Sequence, residues 1–116
     1  MSIIPHAVTA VTDELRFNTQ LILGRKLRKI ILYGSYARGN YKDYSDLDIM
    51  VLADYDESEG RVFQDAIYKI ASRASLEHDI TVSIYLNNDS LFNSRLHMSP
   101  FYRNVLSEGV EIYGAC

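Results

Sequence analysis

The segment Lys29-Ile30-Ile31-Leu32-Tyr33-Gly34-Ser35-Tyr36-Ala37-Arg38-Gly39-Asn40-Tyr41-Lys42-Asp43-Tyr44-Ser45-Asp46-Leu47-Asp48-Ile49-Met50-Val51-Leu52 decides the fold. Two apolar runs bracket a charged loop. The first, Ile30 to Tyr33, is bulky or β-branched throughout, which predicts a strand covered on both faces. Gly34 stops it. Glycine tolerates a positive φ and has no Cβ, so the turn can be tight and another molecule can approach its backbone closely. Ser35 adds a hydroxyl. If a short helical turn follows through Tyr36-Ala37-Arg38, its leading N–H groups form a concavity suited to phosphate oxygens.

Asp46 and Asp48 open the second run. Side chains alternate across a strand, so these two carboxylates share a side while Leu47, Ile49 and Val51 point the other way. Two anions held together repel, and one pKa should rise unless a cation compensates. Mg²⁺ is a hard ion that commonly sits between carboxylates and substrate phosphates. A phosphate cradle beside a carboxylate pair is a nucleoside triphosphate site in outline. Singly, a Gly-Ser is usually a turn and an Asp-x-Asp a solvated strand end; their order between two strands carries the inference.

Gly34-Ser35, Gly39 and Ser45-Asp46-Leu47-Asp48 match the Gly-Ser…Gly…Ser-Asp-x-Asp signature of the nucleotidyltransferase superfamily that includes DNA polymerase beta. The form Gly-Ser-Tyr-Ala-Arg-Gly in so short a chain resembles the minimal nucleotidyltransferases of bacteria and archaea. The resemblance implies a substrate site at Gly34, Ser35, Arg38, Gly39 and Ser45, with ATP or another triphosphate as substrate. It also implies two Mg²⁺ ions on Asp46 and Asp48, with a third carboxylate from the following strand. Asp79 matches that third position, ahead of the alternating run Ile80 to Tyr85, with Glu77 as its rival. Arg38 is placed either to reach a phosphate or to pair with a nearby aspartate.

The acceptor is implied by the resemblance alone. Many minimal nucleotidyltransferases accompany a HEPN-class toxin ribonuclease and act as its antitoxin by adding AMP to a toxin tyrosine. A protein hydroxyl is therefore the first acceptor expected. An antitoxin that works by occlusion is the second possibility. An enzyme modifying a small molecule such as an aminoglycoside is the third, although so short a chain lacks the extra domain that role suggests. The partners expected are thus a triphosphate and a HEPN-type toxin, in a homo- or hetero-oligomer.

Composition agrees with these expectations. At 116 residues, 47% hydrophobic and 23% charged, the chain reads as one globular domain over 1–116. A net charge of -3 argues against unaided nucleic-acid binding, which favours a basic face. The single cysteine, Cys116, excludes an internal disulfide and fits a reducing compartment. Ile3-Ile4 is too short an apolar run for a signal peptide, and no stretch is long enough to span a membrane, so the cytoplasm is the default.

Along the chain, Pro5 suits a first helical turn. Val8, Val11, Leu15 and Ile22 recur at helical spacing, and Gly24 is a stop. Arg25, Lys26, Arg28 and Lys29 read as cations that complement the helix end and then lie in solvent, rather than as a phosphate-attracting collar. His6 reads as a surface residue. Tyr36, Tyr41 and Tyr44 are expected to pack at the core's edge more than to stack on a base. Asp54-Tyr55-Asp56-Glu57-Ser58 is a charged turn ending in a helix N-cap, and Val62, Phe63, Ala66, Ile67, Ile70, Ala71 and Ala74 form the apolar stripe that follows. Asn87-Asn88-Asp89-Ser90 leads into a short helix. Ser99-Pro100 opens another, Gly109 stops it, and Val110 to Tyr113 forms a last strand; this tail is expected to pack rather than to act. The architecture expected is α/β (α+β): a mixed sheet of three or four strands, helices mainly on one face, and the site at one sheet edge.

Overall fold

The computed structural model describes residues 5–114; Ile3-Ile4 and Cys116 lie outside them. In chain order it runs α1 (His6–Leu23), a 3-10 turn (Gly24–Lys26), β1 (Leu27–Tyr33), α2 (Ser35–Arg38), β2 (Leu47–Ala53), α3 (Glu57–His78), β3 (Val82–Asn88), α4 (Asp89–Ser94), α5 (Pro100–Glu108) and β4 (Val110–Gly114). The described strands form one mixed sheet in the order β3-β2-β1-β4. β1 is antiparallel to both β2 and β4, and β2 is parallel to β3, with α3 as the crossover. Since β1 and β2 are central, both of their faces are covered. That burial explains why their sequences lack alternation.

α1 and α3 cover one face. Val8, Val11 and Leu15 join Ile67, Ala71 and Ala74 against Ile30, Leu32, Ile49 and Val51. The shorter α4 and α5 cover part of the other, where Phe92 and Val105 meet Ile31, Met50 and Leu52. The long helices thus share one face, as expected. Two stripe positions differ from expectation. Ile22 is exposed at the rim of the α1–α3 groove, and Leu23, nearer the turn into β1, takes the inner place. Val62, in the first turns of α3, is 68% exposed because the stripe that reaches the sheet begins beyond it.

The helix ends follow local chemistry. Asp56, not Ser58, caps α3, in a capping box with Glu59, and the Ser58 hydroxyl donates to Asp56 at 2.6 Å. Asn88 caps α4 by accepting from the Leu91 N–H, and Ser99 caps α5 by accepting from the Tyr102 N–H, with Pro100 in the first turn. Gly109 lets α5 turn directly into β4: a Cβ there would collide with Ile31 and the Val105 carbonyl. The cations after α1 do not simply lie in solvent. Lys26 of the 3-10 turn pairs with Glu59 of α3 at 3.1 Å, while Arg28 pairs with Asp54 at 3.6 Å and Lys29 with Glu111 at 3.9 Å, tying β1 to the chain after β2 and to β4. His6 is exposed, as expected. No helix among the described residues is long and apolar enough to cross a membrane.

Candidate functional site

β1 delivers the chain to Gly34, whose φ of 77° is one that residues with a Cβ rarely adopt. A Cβ here would also collide with the carboxylate of Asp48. Glycine is therefore needed twice, for the turn and for the close approach of β2. α2 then makes a single turn and ends at Gly39, in the left-handed region at φ 84°. The leading N–H groups of such a turn have no acceptor inside it. Here they belong to Ser35 and Tyr36.

Asp48 is the register partner of Tyr33, so the antiparallel pairing of β1 and β2 sets the carboxylate against the turn. Gly34, Ser35, Arg38, Ser45, Asp46 and Asp48 all line one cavity of about 460 Å³. The Ser45 hydroxyl accepts from the Lys42 N–H at 2.7 Å, which closes the loop before β2. Burial first, and then the charge of Asp46, push the Asp48 carboxyl above its ordinary range, while Arg38 pulls it back. Burial, Asp48 and Tyr85 push the Tyr33 hydroxyl up to about 12. Arg38 is the one cation among the described lining residues, and it is held by Glu108 of α5 at 3.4 Å.

Six of the residues singled out in the sequence thus come together. Gly39 stands apart from the lining and shapes the exit of α2. The third carboxylate is a correction. Asp79 is not on a strand: α3 runs on through His78, and Asp79 is its exposed C-cap, in the left-handed region at φ 52°. β3 begins at Val82, and the residue facing Asp48 across the β2–β3 register is Ser83. Glu77 lies with Glu14 and His78 between α1 and α3, outside the cavity. Nor is the site at a lateral sheet edge. It sits where the two central strands meet the loop between them. Arg38 pairs with a glutamate from the tail rather than with a nearby aspartate.

The tail packs as expected, with Val105 in the smaller core, and it also reaches the site. Phe101, Asn104, Val105 and Glu108 of α5 form one wall of the cavity. Their spacing, i, i+3, i+4 and i+7, is that of a single helix face, and the Ser99-Pro100 cap fixes its phase. The signal was present in the sequence: a stripe at core spacing that carries an amide and a carboxylate does not belong wholly to a core. The tyrosines divide. Tyr36 is buried and stacks on Tyr41 at 4.7 Å, whereas Tyr44 is exposed.

Chemically, Asp46 and Asp48 offer neighbouring hard oxygen donors. Burial and Asp46 oppose the ionisation of Asp48 more than Arg38 offsets, so the pair fits Mg²⁺. The turn beside it offers backbone N–H groups, a hydroxyl and one guanidinium.

Residues 13–111 match the model of a nucleotidyltransferase domain family. Two proteins of Methanocaldococcus jannaschii, provisionally named as protein adenylyltransferases, are among the similar sequences. One is 35% identical over 76% of this chain and 80% of its own length; the other is 34% identical over 90% and 98%. Among solved structures, a toxin–antitoxin complex crystallised with AMP-PNP superposes with a TM-score of 0.55 at 23% identity, covering 87% of this chain and 72% of that one. A mutant MntA-HpeT toxin–antitoxin complex gives 0.54 at 21%, covering 86% and 71%. At these identities the structural likeness is one of fold.

Proposed function

We propose, from the premise that this chain belongs to the nucleotidyltransferase family, that it is an Mg²⁺-dependent protein adenylyltransferase acting on a tyrosine of a HEPN-type toxin, which it thereby neutralises. The observation that carries the proposal is the meeting, in one cavity, of the Gly34-Ser35 turn and the Asp46–Asp48 pair. The turn, with the Ser35 hydroxyl and Arg38, holds the outer phosphates of ATP. Ser45 fixes the loop that presents Asp46. Asp46 and Asp48 would hold two Mg²⁺ ions, which supply charge neutralisation at the oxygens of an in-line displacement. The acceptor oxygen forms a bond to the α-phosphorus, the bond to the β-phosphate oxygen breaks, pyrophosphate leaves, and the hydroxyl proton passes to water. Positioning and electrostatics supply most of the rate in such transfers.

A protein acceptor is supported by the names of the two archaeal relatives, and a toxin partner by the toxin–antitoxin complexes that share the fold. Asp79, the exposed C-cap of α3, stands outside the lining of this cavity. A second reading, neutralisation by occlusion, is favoured by a different observation: Phe17 and Leu21 on α1, and Tyr68 and Leu76 on α3, are exposed.

The experiment is transfer of label from α-labelled ATP, with Mg²⁺, to the product of the adjacent gene. Label on a partner tyrosine, reduced about a hundredfold or more by Asp46→Asn with Asp48→Asn, is the expected result. A partner that is bound and neutralised but stays unlabelled sinks the adenylylation reading in favour of occlusion.

A further inference from the structure

α5 crosses the cavity with one stripe turned inward, and its two ends differ in chemistry. At the C-terminal end Glu108 holds Arg38, three residues beyond Ser35 and the phosphate-type turn. At the N-terminal end Phe101 stands 5.7 Å from Tyr33, ring centre to ring centre in an edge-on contact, and 6.5 Å from Tyr85 of β3. Phe101, which lines the cavity with Asp46 and Asp48, is 44% exposed, and Tyr85, just outside that lining, is 49% exposed, so ring surface stays open to water. Asn104, one turn on from Phe101, also lines the cavity, and its side-chain amide has no protein partner among the described residues.

From Phe101 to Glu108 the helix rises about 10 Å. Asp48 lines the same cavity as both ends, with its carboxylate against Gly34 and its backbone in register with Tyr33. A ligand that satisfied the whole cavity would carry anionic groups at one end and a flat ring with polar edges at the other. Inorganic phosphates would leave the rings uncovered. Every nucleobase has a π-face for an aromatic side chain, and an amide can both donate to and accept from a base edge.

We infer that Phe101, supported edge-on by Tyr33 and flanked by Tyr85, is the platform on which the base of a bound nucleoside triphosphate stacks, with Asn104 facing the base edge. This inference rests on the cavity being a triphosphate site. It adds which part of the chain reads the base, and it gives α5 a binding role that joins base to phosphates.

The test compares equilibrium binding of ATP and of inorganic tripolyphosphate, each with Mg²⁺, to the wild type, Phe101→Leu and Tyr85→Leu. Leucine keeps apolar bulk and removes the ring, and both positions are exposed enough to leave folding intact. The wild type is expected to bind ATP at least tenfold more tightly than tripolyphosphate. Phe101→Leu is expected to weaken ATP roughly tenfold or more while leaving tripolyphosphate within twofold. Tyr85→Leu changes affinities in the same selective direction by a smaller factor. Equal wild-type affinity for the two ligands would overturn the inference, as would a Phe101→Leu loss shared equally by both. Unchanged ATP affinity with slower transfer in Phe101→Leu would also overturn it and assign the rings to the acceptor. A wild type that bound neither ligand would remove the triphosphate reading itself, a separable outcome.

Discussion

Asp48 holds the most constrained position in the site. Its carboxylate packs on the Cα of Gly34, and burial and Asp46 both oppose its ionisation. The sign of the resulting pH dependence follows from linkage. The folded chain binds this proton more tightly than the unfolded chain, so the group favours folding at pH values below its ordinary 3.8. That advantage disappears as pH rises through the raised folded value. At neutral pH without metal, the ionised pair is a net cost. Asp48→Asn is therefore expected to melt at a higher temperature than the wild type at pH 7 in the presence of a chelator. The gap should narrow as pH falls toward and below 3.8. Melts across that pH range check it; a gap that stayed constant would show that Asp48 does not carry the repulsion.

Among the elements, α5 owes its position to a small core of its own. Phe92 of α4 is 1% exposed and stacks on Tyr102 of α5 at 4.6 Å, over Met50 and Leu52 of β2. The Tyr102 hydroxyl accepts from the side-chain amide of Asn87 at 3.2 Å. Phe92→Ala should cost about 3 to 5 kcal/mol, the usual range for emptying a buried aromatic site. That is a large part of the stability of any small domain. Val62→Ala on exposed α3 surface should stay within about 0.5 kcal/mol. Urea unfolding of both variants measures the contrast. If the two losses were alike, the second face would not be a core. α5 was half legible in sequence. Its cap, its proline and its stop were plain, while its role was hidden because nothing local shows which way a helix face will turn.

For the whole molecule, the topology brings together the ends of two central strands, a one-turn helix and a helix from the tail. Such a site exists only in the folded chain, so a ligand that binds it stabilises the fold by mass action. Mg²⁺ with ATP at a hundred times its dissociation constant should add about 2.7 kcal/mol. In a domain of this size that is a rise of roughly ten degrees or more in melting temperature. The rise should vanish in Asp46→Asn with Asp48→Asn. Thermal melts with and without Mg²⁺-ATP decide it, and an equal rise in the double variant would place nucleotide binding elsewhere.

The sequence by itself determined the strand–turn–strand unit, the glycine at Gly34, the shared side of Asp46 and Asp48, the Ser99-Pro100 start and the Gly109 stop. Each is set by residues within a few positions of one another, where φ preference, alternation and capping act directly. Only the tertiary structure decided that Asp79 caps α3 outside the cavity lining, that Ser83 faces Asp48, that Arg38 finds Glu108, and that three of the four cations after α1 are paired. Those outcomes depend on where a long helix ends and on the register of strands distant in sequence. Both are fixed by the packing of the whole sheet between its two helical faces, a quantity that no local stretch contains.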